Sequence, residues 1–170
     1  MKKWNKILRI SLLVISVSVL ASSCLKTKDP YAAFTPEREA GLIKARLDAQ
    51  VAAKKNIDTT STGIFYIRDK VGTGPTVKAG DSVKVIYTGK FTDGSVFDSS
   101  VGQSDNTYTY VQEGSNTRMI QGWEEGIKVL NKGASATFLI PSAKAYGSSG
   151  YSTIPPNSPL IFVIEVVDIK

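Results

Sequence analysis

The chain has 170 residues, with 21 Lys plus Arg against 15 Asp plus Glu, one Cys and no His. That length suits one domain of about 100–150 residues with shorter extra segments, and 42% hydrophobic with 21% charged residues exclude a mostly disordered chain. Zero His and a single Cys exclude Ser-His-Asp triads, His metal sites, Cys-rich zinc sites, CxxC redox chemistry and an intramolecular disulfide.

Lys2, Lys3, Lys6 and Arg9 open the chain with no acid among them, an uncharged and mostly apolar stretch runs from Ile10 to Ala21, and Ser22-Ser23-Cys24 follows. A basic start, a short apolar run and small residues before a cut site are the marks of a secretory signal peptide. The run is shorter than the ~20 residues of a membrane-spanning helix. With Cys24 at its end it resembles a bacterial lipoprotein signal, although Ala21 stands where that family usually has Leu. The resemblance implies residues 1–23 as a removable signal and Cys24 as the lipidated first mature residue, holding the chain to a membrane in the cell envelope of a bacterium, on the periplasmic side or at the outer membrane. Removing the four basic residues lowers the net charge from +6 to about +2, which argues against nucleic-acid binding.

Residues 24–58 read as a tether and an N-terminal helix. Thr35-Pro36 supplies an N-cap and a first-turn proline, Glu37 and Glu39 complement the helix dipole, and Ile43, Leu47 and Val51 form one stripe. Lys54 and Lys55 suit its end. One short stripe lacks the heptads of a coiled coil, so a helix packed on its own domain, or a spacer, is favoured over a dimerisation or docking arm.

From residue 59 the pattern turns to short strands. Ile64-Phe65-Tyr66-Ile67 is one. Val83, Val85 and Tyr87 alternate with Lys84, Ile86 and Thr88 in a second, and Asp93-Gly94 is a hairpin turn. Tyr108-Thr109-Tyr110-Val111 alternates again. Trp123 to Leu130 predicts a short helix with Trp123, Ile127 and Leu130 on one side, closed by Gly133. Ser135–Ile140 and Leu160–Ile169 complete the strands. Several antiparallel strands about one short helix predict an α+β domain. Glu124-Glu125 reads as charge at a helix N-terminus, since adjacent helical residues do not face each other.

Five segments carry a resemblance in order: Val85-Ile86-Tyr87-Thr88-Gly89; Asp93-Gly94 with Phe97-Asp98-Ser99-Ser100; Ile120-Gln121-Gly122-Trp123-Glu124-Glu125-Gly126; Ala145-Tyr146-Gly147; and Ile154-Pro155-Pro156 with Leu160-Ile161-Phe162. Together they resemble an FKBP-type peptidylprolyl cis–trans isomerase over residues 59–170. The resemblance implies a twisted antiparallel sheet, a half-barrel wrapped around a short helix, with a pocket between them. It implies Trp123 as the floor under a proline ring, Tyr87, Phe97 and Phe162 as walls, and Ile154 in the same pocket. Tyr146 would donate a hydrogen bond, Ile120 would offer its backbone N–H with Met119 beside it, and Asp98 would be a carboxylate near the twisting amide, held by Tyr87. The family's Phe on the strand before Met119 is matched by either Tyr108 or Tyr110, and Tyr151 sits near where many members carry His.

Isomerisation of X–Pro bonds needs no nucleophile or metal. The amide barrier comes from C–N double-bond character, and an apolar pocket with hydrogen bonds made only to the twisted state lowers it. The implied partners are proline-containing unfolded or folding proteins, with tacrolimus or rapamycin as ligands of many relatives. The other class considered is a non-catalytic proline-peptide binding module or chaperone on the same fold.

Overall fold

The computed structural model describes residues 29–114 and 119–170. The expected signal peptide and Cys24 lie outside them. Among the described residues no helix is long and apolar enough to cross a membrane. Asp29 to Ala32 make a small turn, in which Asp29 accepts hydrogen bonds from the Tyr31 and Ala32 amides. Ala33–Lys170 form a separate unit that holds everything below.

The unit begins with helix α1, Pro36–Ala52. The Thr35 hydroxyl accepts from the Arg38 amide at 3.2 Å and Pro36 opens the first turn, as the sequence predicts. At the other end the Lys55 amide reaches the Gln50 carbonyl and the Lys54 amide the Val51 carbonyl. This is a Schellman closure, with Lys54 in the left-handed region at φ 54° where glycine is usual. The predicted stripe is corrected at its end: Ile43 and Leu47 are half-buried, but Val51 is 64% exposed. Each step of four residues overshoots the helical turn by about 40°, so a stripe spaced by fours rotates off the packed face. Leu42, Ile43, Arg46, Leu47 and Gln50 are the residues turned inward.

Seven strands follow: β1 (Asp58–Thr59), β2 (Phe65–Lys70), β3 (Ser82–Lys90), β4 (Val96–Ser99), β5 (Tyr108–Val111), β6 (Ser135–Ile140) and β7 (Leu160–Ile169). Ile64 lies one residue ahead of β2, after a turn that needs Gly63 at φ 90°. The sheet is antiparallel throughout, in the order β1-β2-β6-β7-β3-β4, with β5 also on β3. Strand β3 alternates half-buried and buried residues along its whole length, with Val83, Val85, Tyr87 and Gly89 facing in. On β7, Leu160, Phe162, Ile164 and Val166 face the same core.

Helix α2, Gln121–Ile127, packs against β6 and buries Gly122, Trp123, Gly126 and Ile127. It starts two residues before and ends three before the predicted span of Trp123 to Leu130. The Ile120 carbonyl accepts from the Trp123 and Glu124 amides, and the Gly126 carbonyl takes both Lys128 and Val129, which tightens the chain out of the helix. Leu130 still reaches the core through that turn. Gly122 and Gly126 are one turn apart on the packed face. A Cβ on Gly122 would lie 2.3 Å from Ile140 Cγ2, and one on Gly126 3.1 Å from Phe138 Cδ1. These two glycines set how closely α2 approaches β6.

Candidate active site

Strand β3 has two short partners on one edge: Ser82–Val85 pair with β5 and Thr88–Lys90 with β4. Tyr87 lies at the gap between them. Ser100 holds it there, accepting from the Tyr87 amide on its hydroxyl at 2.9 Å and donating its own amide to the Tyr87 carbonyl at 3.1 Å. The Phe91–Ser95 hairpin, turned by Gly94 at φ 93°, brings β4 back so that Asp98 faces the Tyr87 hydroxyl.

A pocket of about 60 Å³ opens here, lined by Tyr87, Asp98, Tyr108, Met119, Ile120, Trp123, Tyr146 and Phe162. Trp123 is its buried floor. Tyr87 and Phe162 meet the indole edge-on, each with ring centroids 5.2 Å away, an arrangement favoured by the ring quadrupoles. Tyr108 closes against Tyr87 at 6.0 Å. A larger cleft of about 410 Å³ lies between the start of α1 and the Phe91–Ser95 hairpin, but none of the pocket's residues lines it.

Tyr87 donates from its hydroxyl to Asp98 Oδ2 at 2.8 Å, and the Ser99 amide donates to Oδ1 at 2.9 Å. Asp98 is an exposed rim residue, so burial does not compel its partnership with Tyr87. The two bonds instead hold a charged carboxylate in one orientation at the mouth of an apolar pocket. Burial raises the Tyr87 phenol above its ordinary value of 10.0, and the Asp98 carboxylate adds to the rise. Tyr146 is raised for the same two reasons, burial first. Both hydroxyls therefore remain donors at neutral pH.

Two of the residues expected at the pocket, Phe97 and Ile154, are not part of its lining. Phe97 packs between Phe91 at 5.1 Å and Phe162 at 5.5 Å, and braces Phe162 from outside. Ile154 is buried and pairs with Tyr151 in a two-residue bridge. The choice between the tyrosines of β5 is decided: Tyr108 lines the pocket and Tyr110 lies beneath Trp123. Two residues apart on a strand, both point to the same face, and the sequence pattern alone could not order them. Tyr110 accepts from the Trp123 indole at 2.9 Å and donates to Gln112 Oε1 at 3.0 Å; Gln112 Nε2 donates to the Glu124 carbonyl at 2.8 Å. Gln112 is 0% exposed. This buried relay ties the pocket floor to the body of α2, and no motif announced Gln112. The sequence marks Tyr151 only by its place in the loop; its ring, 66% exposed, stacks on Tyr146 at 5.2 Å and 12°. Glu124 and Glu125 form no paired-carboxylate site: Glu125 bonds Gln121 and Lys144. Among the described residues no group of His, Cys, Asp and Glu could hold a metal ion.

Comparison with known proteins agrees with this geometry. Residues 74–167 match the model of the FKBP-type peptidyl-prolyl cis-trans isomerase family. A probable FKBP-type isomerase of Haemophilus influenzae is 41% identical over 123 residues, 72% of this chain and 49% of that protein. The isomerase FkpA of Escherichia coli is 38% identical over 119 residues, 70% of this chain and 42% of its own length. The chain thus spans about half or less of the length of these two relatives. The crystal structure of FkpA from Escherichia coli superposes with a TM-score of 0.69 at 32% identity, covering 96% of this chain and 71% of that one. That of AtFKBP13 superposes with a TM-score of 0.60 at 30% identity, covering 68% and 99%. With more than half the chain matched to the family model and its strand order, helix and pocket in place, the chain belongs to the FKBP-type peptidyl-prolyl cis-trans isomerase family.

Proposed function

We propose that this protein is a peptidylprolyl isomerase acting on X–Pro bonds of unfolded or folding polypeptides. The observation that carries the proposal is the aromatic dish over Trp123 with the Tyr87–Asp98 pair at its rim. The planar amide owes its barrier of about 18–20 kcal/mol to charge-separated resonance. A proline ring seated on Trp123 would place that amide among Tyr87, Phe162 and Tyr146, where the charge-separated form loses solvation. Tyr146 and Ile120 are lining residues, and in this reading the Tyr146 hydroxyl and the Ile120 backbone N–H would donate to a substrate carbonyl as the bond twists. Only bonding that strengthens in the twisted state accelerates the step. Ile120 is the N-cap of α2, with extended backbone at φ −67° and ψ 150°, and it lines the pocket. The chemistry draws on no metal or cofactor. Tacrolimus and rapamycin are candidate ligands of the same dish.

The basic start, the apolar stretch and Ser22-Ser23-Cys24 support a lipid-anchored protein of the bacterial envelope. Two or more acyl chains on Cys24 would give stable attachment. The natural clients would then be envelope polypeptides.

The test is a proline-isomerisation assay on the full chain in mild detergent, with Asp98→Ala beside it. The wild type should accelerate X–Pro isomerisation, and Asp98→Ala should lower kcat/KM by about ten-fold or more, as loss of a charge-assisted contact allows. A folded wild-type chain that binds a proline peptide without turnover would sink the enzyme reading and leave a binding module.

A further inference from the structure

The loop that carries Tyr146 is fastened to α1, a helix outside the segment that matches the family model. The start of the loop hangs on Ser142. The Ser142 carbonyl accepts from the amides of Ala145 and Gly147, both at 2.8 Å, so it closes the turn on either side of Tyr146. The Ser142 amide and hydroxyl point the other way. They donate to Glu39 Oε1 and Oε2 respectively, each at 2.6 Å, across 103 residues of sequence. The end of the loop is tied as well. The Asn157 amide donates to the Gly147 carbonyl at 2.8 Å, and Asn157 Nδ2 donates to the Phe34 carbonyl at 2.7 Å.

We infer that Glu39 is a positioning residue for Tyr146, acting through Ser142, and that the first turn of α1 completes the active site. Its carboxylate accepts two bonds from one residue, and bonds to an ionised acceptor are short and strong. Ser142 is buried, so losing Glu39 strands an amide and a hydroxyl at the hinge of the turn. The expected result is a looser turn. The Tyr146 hydroxyl would then sample positions away from the substrate, and small misplacements of a positioned group cost rate steeply. In the sequence Glu39 reads only as favourable charge in the first turn of a helix. The loop contact gives it a second role.

The inference rests on the isomerase reading, and its test has one arm that does not. In Glu39→Ala, amide hydrogen exchange at Ala145 and Gly147 should rise about ten-fold or more, while amides of the β3–β7 ladder stay as in the wild type. Glu39→Gln keeps a carbonyl acceptor for the Ser142 amide and should fall between the two. Unchanged exchange at Ala145 and Gly147 would overturn the inference, and so would an equal rise throughout β3 and β7, which would mark a global loss of stability. The kinetic arm is a double-mutant cycle with Tyr146→Phe. Glu39→Ala should lower kcat/KM about five-fold in the wild-type background and less than about two-fold in Tyr146→Phe. Equal losses in both backgrounds would refute the route through Tyr146. A wild-type chain without isomerase activity would overturn the functional reading alone, and the exchange arm would still decide whether Glu39 holds the turn.

Discussion

Replacing Tyr110 by Phe removes one oxygen from beneath the pocket floor and strands two buried groups. The Trp123 indole N–H loses its acceptor and Gln112 Oε1 loses its donor. Trp123 is 3% exposed and Gln112 0%, so water cannot replace the partner without rearrangement. A buried polar group left unpaired costs about 1–3 kcal/mol; two of them, in a network that can partly relax, should cost about 2–4 kcal/mol. Folded domains have only about 5–15 kcal/mol in total, so the loss is large for a single oxygen atom. With a urea m-value of about 2 kcal/mol/M, typical of a domain this size, the midpoint should fall by about 1–2 M. The assay is urea unfolding of the full chain carrying Trp4→Phe, which leaves Trp123 as the sole tryptophan of the two, followed by its fluorescence. Adding Gln112→Leu removes the Gln112 Oε1 orphan but takes from the Glu124 carbonyl its bond from Gln112, so the double variant should stay near the Tyr110→Phe midpoint. A Tyr110→Phe midpoint within about 0.2 M of the parent would refute the reasoning, because it would mean that the relay holds nothing in place.

Gly89→Ala should strike the pocket wall from behind: its Cβ would sit 2.7 Å from Phe97 Cζ and 3.0 Å from Phe162 Cε1. Overpacking of this kind costs about 1–3 kcal/mol, and displacement of Phe162 should also raise KM for a proline peptide; an unchanged KM would show that the wall yields elsewhere. The pH dependence follows from the phenols. Burial raises Tyr87, Tyr110 and Tyr146 above 10.0 in the folded chain. Above pH 10 the unfolded chain therefore binds fewer protons than the folded one, and stability must fall as pH rises. Below the unfolded value their contribution is fully present. The urea midpoint set by these groups should be level to about pH 10 and decline beyond it, and kcat/KM should be level over the same range; a tyrosine-linked decline beginning below pH 9 would contradict the burial of these hydroxyls.

Much of the architecture was legible because it depends on local rules. Thr35-Pro36 starts a helix by capping and fixed φ, the alternation of Val83, Val85 and Tyr87 declares a strand with one buried face, and Asp93-Gly94 turns a hairpin. The helix ends were less legible. Whether Leu130 or Val51 belongs to a packed helical face depends on what the helix meets, and a residue spacing alone carries no such knowledge.

The sequence by itself determined the order of elements, the exclusion of His-based chemistry and Cys-rich metal sites, and the set of aromatic residues that could make a pocket. Its five motifs were readable because a proline-sized apolar dish demands particular side chains at particular strand and helix positions. Tertiary structure alone decided which of these line the dish. Tyr108 and Tyr110 share one face of one strand, and only the placement of α2 puts one beside the pocket and the other beneath Trp123. The approach of α2 rests in turn on Gly122 and Gly126 against β6, where an added Cβ would collide with Ile140 or crowd Phe138, residues of a distinct strand. The Glu39–Ser142 contact closes a separation of 103 residues. Hydrogen bonds of that kind leave no periodicity in the sequence, because nothing in the local chain has to change for them to form; they exist only once the fold has brought the two ends together.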